Sequence, residues 1–241
     1  MPLLALETST ENLSLAIWQD GRIWSRDIDA GQRHAELTMP ALHALLAEAG
    51  IDLSMVTAVA FGQGPGSFTG VRIACGLAQG LALGLGCRVV AIPTLLALAE
   101  ATSVQRVLVA QDARMGEYYL AAYERDAQEA SGWRALIPPM LATPAHLPEL
   151  PGEGWAATGS ALAVTELASA LQSCYGAQLN TASPGQRPSA REVAVLAARQ
   201  IASQHDACLL PPEEAAPLYL RNKVAMTIEE RSAHHAAKGA L

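Results

Sequence analysis

The chain has 241 residues and a net charge of −7, with 51% hydrophobic residues but only 5% aromatic ones. This length suits one large domain or two small ones, and the core must be built mainly from Ala, Leu and Val. Because nucleic-acid binding depends largely on Lys and Arg, the negative charge argues against a free-standing nucleic-acid binder and leaves only a local basic patch open.

Cysteine spacing and hydropathy indicate where the protein resides. The four cysteines show no CxxC spacing, so we expect buried thiols in a reducing compartment. The opening residues, MPLLALETST, do not have the pattern of a secretory signal. The most apolar stretch, residues 77–90, is interrupted by glycines and by Arg88 and is too short to cross a membrane. We therefore expect a cytoplasmic protein without a membrane segment.

The first hundred residues predict the element order βββαβαβα. Asp20 and Gly21 indicate a hairpin turn, and apolar residues at helical spacing predict a helix that contains Pro40. The predicted strands are residues 3–7, 13–17, 23–28, 57–61 and 88–92, and the predicted helices are residues 34–49, 69–84 and 93–101.

The second half predicts a reduced copy of the first, βββαβα. The predicted strands are residues 107–110, 118–123, 133–137 and 155–158, and the predicted helices are residues 159–173 and 189–203. We expect the Pro-rich segment 138–154 to be a loop with one short helix. The chain thus divides into an N-terminal α/β domain (1–102), a reduced C-terminal one (103–226) and a tail (227–241), in which Thr227 and Glu230 fit a capping box.

A glycine-rich turn and a helix of small residues stand at the centre of the first half. Gly62, Gly64 and Gly66 follow a buried strand, and Ser67 or Thr69 can cap the next helix. Along this helix two rows of small residues recur every four positions, namely Gly76, Gly80, Gly84 and Ala74, Ala78, Ala82. Such rows indicate either tight packing within one core or a close interface with another subunit.

Two turns are candidates for anion binding. Glu7, Thr8 and Ser9 follow the first strand, and hydroxyls and backbone N–H groups in such a turn can hold a phosphate. The turn around Gly64 and Gly66 precedes a helix N-terminus, which attracts anions. This turn lacks the Lys-Ser/Thr pair of a P-loop, and an ordinary packing role for both turns stays open.

No residue pattern predicts catalysis. The histidines form no i, i+4 pair, and there is no HExxH and no GxSxG motif. Asp112 and Glu117 flank a turn, where two carboxylates are most often solvated. We therefore predict neither a catalytic residue nor a metal site.

Four stretches resemble one known family, TsaB (also called YeaZ). They are GPGSFTGVRIACGLAQGLA, LALETSTENLSLAIW, RHAELTMPALHALLAEAG and PLYLRNKVA, and the resemblance runs from about residue 3 to 225. It implies an α/β fold of two related actin-like or sugar-kinase-like (ASKHA) halves, each a mixed sheet with flanking helices.

The resemblance also implies a role in tRNA modification. The family acts in the pathway that places a threonylcarbamoyl group on the adenosine next to the anticodon, in tRNAs reading codons that begin with A. The transferase is the paralogue TsaD, whose first helix carries an HxxxH metal site. Here His34 is followed by Thr38, so one ligand is missing. This implies a non-catalytic subunit that binds TsaD, recruits the ATPase TsaE and meets tRNA only through the complex.

The resemblance places the partner surface on the first two helices, which can also form a homodimer. The expected contacts are Leu42, Leu45, Leu46, Gly70, Ile73, Gly76, Leu77 and Gly80. ATP or ADP binding, through Glu7, Thr8, Ser9, Gly64 and Gly66 or at the complex interface, is a further hypothesis, although many relatives have Asp where this chain has Glu7. The alternatives are an ATP-dependent kinase of the same fold and an inactive metallopeptidase homologue.

Overall fold

A computed structural model describes residues 1–221, apart from the side chains at positions 180–182 and 205. The predicted tail, with Thr227 and Glu230, lies outside the described residues. The strands are β1 (Leu3–Glu7), β2 (Asn12–Gln19), β3 (Arg22–Asp29), β4 (Ala58–Gly62), β5 (Arg88–Ile92), β6 (Arg106–Asp112), β7 (Tyr118–Arg125), β8 (Trp133–Ala142), β9 (Trp155–Gly159) and β10 (Leu179–Pro184). The helices are α1 (His34–Ala49), α2 (Phe68–Leu85), α3 (Thr94–Glu100), α4 (Thr165–Tyr175) and α5 (Ala190–Gln204).

The strands form two mixed sheets with the same internal order. The N-terminal sheet runs β3-β2-β1-β4-β5, and the C-terminal sheet runs β8-β7-β6-β9-β10. In each, the first strand is antiparallel to the second and parallel to the fourth. The fold is therefore two related α/β halves with flanking helices, as predicted, and within residues 103–221 the second half lacks a counterpart of α1.

Three apolar clusters account for the packing. One lies between α1, α2 and the N-terminal sheet, and one lies between α4 and the C-terminal sheet. The third joins both sheets through α3 and α5 and contains residues from each, such as Leu3, Val107 and Leu196. In α5 the predicted inner residues Val193, Leu196 and Ala197 are fully buried. Because this cluster is shared, the two halves are packed as one body, and a domain boundary at residue 102 stays a prediction.

The prediction for residues 138–154 is wrong at its start, and the short helix expected there is wrong too, because residues 143–154 contain only turns, an isolated bridge and irregular backbone. Pro138 and Pro139 continue β8 instead of opening a loop. Met140 pairs with Leu120 and Ile137 with Ala122, so the two prolines lie where the register shifts. An edge strand at a bulge tolerates proline because a ladder N–H is not needed there.

The second half differs from the predicted elements in two further places. Strand β10 was not predicted; it pairs parallel to β9. The helix expected from Gly159 begins as a short 3-10 segment, Ser160–Ala163, and α4 starts only at Thr165. The cause is local, since the backbone reorients after the positive φ of Gly159.

The two rows of small residues on helix α2 lie in different environments. Ala74, Ala78 and Ala82 are fully buried against the sheet, whereas the glycine row is exposed and a Cβ added at any of these glycines would meet no atom within 4 Å. Packing within the chain's own core therefore explains the alanine row. It does not explain the glycine row, beside which residues 1–221 leave open space.

By length and apolar character alone, α2 could cross a membrane. It has a mean hydropathy of 1.4, and 33% of the helix is buried. Its alanine row nevertheless packs on β4 and the rest of the N-terminal sheet, as the row of a helix in a layered α/β fold does.

Gly70 and Gly80 of α2 give a matched test of the buried and the open side of this helix. Gly70→Ala should lower the free energy of unfolding by about 2 kcal/mol or more, because the new methyl group overlaps the backbone of Thr8. Gly80→Ala should raise it by up to about 1 kcal/mol through helix propensity. Urea unfolding of both variants measures the two changes, and equal effects would contradict the assignment of one glycine to packing and the other to open surface.

Candidate functional site

The glycine turn, residues 62–67, connects β4 to α2 and lies against the end of β1. A side chain at Gly62 would overlap the Glu7 carboxyl group, and one at Gly66 would lie 2.6 Å from the Ser9 Cβ. Only glycine lets these two segments approach so closely. Ser67 then caps α2 as predicted, since its hydroxyl accepts from the Gly70 N–H at 3.5 Å.

Glu7 forms a buried polar latch that joins three elements. One carboxylate oxygen accepts from the Ser9 N–H at 2.6 Å, and the other accepts from the Thr94 hydroxyl at 3.0 Å. The Thr94 hydroxyl accepts in turn from the Gly64 N–H at 3.1 Å. The latch thus connects the turn after β1, the glycine turn and the start of α3, and Glu7 itself is only 1% exposed.

Burial raises the pKa of the Glu7 carboxyl above its ordinary value, because desolvation outweighs the hydrogen bonds that its neighbours donate. The neighbouring Thr8 is also fully buried, and its hydroxyl donates to the Gly70 carbonyl at 2.8 Å. Both side chains are therefore occupied by contacts within the chain.

The C-terminal sheet repeats this arrangement without the acid. Gly159 ends β9 as Gly62 ends β4, and a side chain there would overlap the Ala110 carbonyl. The Ser160 N–H donates to the Gln111 side chain at 2.8 Å, and the Ser160 hydroxyl accepts from the Asp112 N–H at 3.0 Å. The polar groups of this second turn hold β6 in place.

A cleft of about 930 Å³ opens between the two turns. Its walls come from the glycine turn and the start of α2, from the turn between β6 and β7, and from residues 185–187. Of the residues predicted to bind nucleotide, Ser9 and Gly66 line this cleft. Glu7, Thr8 and Gly64 are buried behind it. Nucleotide binding stays a prediction. Of the five residues predicted for it, Ser9 and Gly66 are the two that a ligand in the cleft could contact.

The residues expected to contact a partner divide into two groups. Leu42, Leu45 and Leu46 are 0–6% exposed and belong to the chain's own core, and Gly70 is buried against Thr8. These four side chains are not available at the surface, so α1 can offer a partner only its other faces. Ile73 and Leu77 are half-buried, and Gly76 and Gly80 are exposed.

Sequence reasoning did not predict the course of residues 209–221, here called the C-terminal strap. Leu210 pairs with Val89 of β5, and the Ala215 carbonyl accepts from Gln79 at 3.0 Å. The Leu218 N–H then donates to the Gln63 carbonyl at 2.7 Å. The strap finally reaches the opposite wall of the cleft, where Arg221 pairs with Glu117. No periodicity marks this segment, because apart from a short 3-10 turn at Pro212–Glu214 its backbone is irregular.

The position of the missing histidine is occupied by a buried hydroxyl. Thr38 is fully buried, and its hydroxyl donates to the His34 carbonyl at 2.6 Å. His34 itself is 5% exposed and lines the cleft. Across residues 1–221, no group of three or more His, Cys, Asp or Glu side chains could hold a metal ion.

Replacing Glu7 with glutamine removes its titration, so the effect of this one carboxyl group on stability can be measured. Above about pH 4.5 the raised pKa of Glu7 means that the native state binds more protons than the unfolded state, so its contribution to stability falls as pH rises. The difference in unfolding free energy between wild type and Glu7→Gln should therefore shift in favour of the variant from about pH 4.5 to about pH 7. Urea unfolding across this range measures it, and a shift towards the wild type would contradict the assignment.

Comparison with known proteins agrees with the architecture. Residues 28–229 match the family described as TsaD, tRNA N6-adenosine threonylcarbamoyltransferase. The TsaB protein of Haemophilus influenzae is 34% identical, over 93% of this chain and 95% of that protein. The TsaB protein of Escherichia coli is 42% identical over about half of each chain, 52% of this one and 56% of that one. Both relatives are tRNA threonylcarbamoyladenosine biosynthesis proteins.

Solved structures give the same result. A Pseudomonas aeruginosa protein described as similar to the peptidase YeaZ superposes with a TM-score of 0.80 at 33% identity, over 91% of this chain and 99% of that one. YeaZ of Pseudomonas aeruginosa superposes with a TM-score of 0.76 at the same identity and coverage. The chain therefore belongs to the TsaB (YeaZ) family of tRNA threonylcarbamoyladenosine biosynthesis proteins.

Proposed function

We propose that this chain is a non-catalytic scaffold subunit in the formation of threonylcarbamoyladenosine in tRNA. It pairs with the TsaD transferase through the exposed side of α1 and α2, and the pair recruits the ATPase TsaE. The role in this pathway follows from family membership. The scaffold role rests on one observation, the open glycine row of α2.

The glycine row of α2 is costly in the isolated chain. Gly76, Gly80 and Gly84 each weaken the helix by about 1 kcal/mol relative to alanine. Within residues 1–221 nothing contacts the space that their side chains would occupy. Because no contact within residues 1–221 offsets the cost, a second polypeptide packed against this face supplies the simplest compensation, and small residues allow its backbone to come close.

Exposed apolar side chains also support the outer side of α1 and α2 as the partner surface. Although α2 is apolar enough for a membrane span, only 33% of it is buried. Large hydrophobic side chains stand exposed at its two ends, Phe68 at 38% and Leu83 at 75%, and Met39 on α1 is 38% exposed. Exposed apolar residues grouped on neighbouring elements are typical of a protein–protein interface.

The local chemistry supports a subunit more than an independent enzyme. A kinase of this fold needs free polar groups in the turns of both halves. Here Glu7 and Thr8 bond within the N-terminal half and Ser160 within the C-terminal half, and of the predicted nucleotide-binding turn Glu7–Ser9 the Ser9 hydroxyl alone is without a partner among the described residues. In the place where the transferase carries its second metal ligand, this chain has the buried Thr38. Transfer chemistry therefore belongs to the partner, and the net charge of −7 fits contact with tRNA through the complex.

Leucine on the glycine row tests the scaffold role. Gly80→Leu should abolish measurable binding to TsaD, because the side chain keeps the partner backbone at a distance. The variant should fold as wild type, since the position is open. Calorimetric titration with purified TsaD measures the affinity, and circular dichroism checks the fold.

Ser169→Leu is the matched control. It adds the same side chain at an exposed position in α4, outside the proposed face, and should bind TsaD as wild type does. If Gly80→Leu binds as well as wild type, the glycine row is not the interface. Sedimentation of wild type and both variants without TsaD shows in addition whether the same face forms a homodimer.

A further inference from the structure

Three side chains form an exposed stack where α2 begins. The guanidinium of Arg72 lies 3.7 Å from the Phe68 ring centroid and 5.6 Å from that of Tyr219 on the strap. Its Nε donates to the Tyr219 hydroxyl at 2.7 Å. The two rings are 38% and 45% exposed, so the stack holds the arginine in a fixed orientation at the surface.

Arg72 has no acidic partner within residues 1–221. Other arginines of the molecule pair with carboxylates of their own chain, for example Arg26 with Glu48 and Arg187 with Glu11. The recorded contacts of Arg72 are one hydroxyl and two aromatic rings. Its terminal nitrogens Nη1 and Nη2, which form the planar fork that matches a carboxylate, are therefore open to a ligand.

The position of Arg72 connects this open fork to the proposed partner face. Arg72, Gly76 and Gly80 are spaced by four residues, so they follow one row along the exposed side of α2. A partner helix seated on the glycines covers the arginine as well. Covering a guanidinium removes its water, which is unfavourable unless a partner group replaces the lost hydrogen bonds.

We propose that the Phe68–Arg72–Tyr219 stack is the polar anchor of the partner face and binds a carboxylate of the TsaD subunit. This inference rests on the proposed function and specifies its chemistry. An acid is the complementary group because the fork is cationic and planar, and because the first turn of α2 carries no acidic residue that would already compensate the helix N-terminus. Stacking on two rings fixes the guanidinium before the partner arrives, which lowers the entropic cost of binding.

Substitutions at Arg72 test the anchor. Arg72→Gln should raise the Kd for TsaD by about 30-fold or more, because the partner acid is left buried and unpaired. Arg72→Lys keeps the charge but loses the fork and the stack, so it should recover only part of the affinity. The affinity of wild type should fall with added salt more steeply than that of Arg72→Gln.

Arg22→Gln is the matched control. Arg22 is also exposed and also stacks on an aromatic ring, 4.8 Å from the centroid of Trp24, but it lies on β3. Its replacement should leave the Kd for TsaD unchanged. Tyr219→Phe, which keeps the ring and removes the hydroxyl acceptor, should weaken binding less than Arg72→Gln does.

Other outcomes overturn the proposal in distinguishable ways. If wild type binds TsaD and Arg72→Gln binds equally well, the anchor is wrong while the scaffold role stands. If only self-association is lost, the occupant is a second copy of this chain. If only the binding of unmodified tRNA to the assembled complex is lost, the stack contacts RNA. If wild type does not bind TsaD at all, the proposed function fails and the anchor fails with it.

Discussion

The close approach of the glycine turn and α2 to the end of β1 is the contact on which the rest of the structure depends. Gly66 and Gly70 let the backbone reach Ser9 and Thr8, and the Glu7 latch closes the same junction from behind. This junction sets the direction of α2, whose alanine row then fits the sheet while its glycine row faces outwards. The desolvated acid has an energetic cost, which its hydrogen bonds offset only in part.

The two halves share one architecture but differ in the helices that they expose. Both sheets have the same strand order, and both place a glycine where the fourth strand meets the first. Within residues 1–221, only the N-terminal half has α1 and a helix with an exposed glycine row, and this is the half to which we assign the partner. Segments from the end of the chain then return to it: α5 packs on β1 and β2, and the strap runs beside α2. The proposed partner face is thereby supported by elements from both halves of the described chain.

Much of the fold could be predicted from local patterns. The strands of the first half, the bounds of α1 and the inner side of α5 follow from hydrophobic periodicity, which reports which face is buried. Periodicity cannot report packing between distant segments, so it missed β10, the strap and the continuation of β8 through Pro138. The family resemblance led us to expect Leu42, Leu45 and Leu46 at an interface, although they fill the chain's own core. A stripe of apolar residues shows that a face is covered, and only the three-dimensional structure shows by what. The glycine row could be recognised from spacing, but its exposure could not.

In the proposed scaffold role, this chain is required for tRNA modification but does not perform the transfer itself. The most direct test is reconstitution from threonylcarbamoyl-AMP synthase, TsaD, TsaE, ATP, threonine, bicarbonate and unmodified tRNA, with this protein present, absent or replaced by Gly80→Leu. Modified adenosine is then counted by mass spectrometry. If the proposed scaffold role is correct, product forms only with wild type, and none forms when the protein is omitted or its glycine row is blocked. Equal product without this chain would contradict the scaffold role, and modification by this chain in the absence of TsaD would contradict its non-catalytic character.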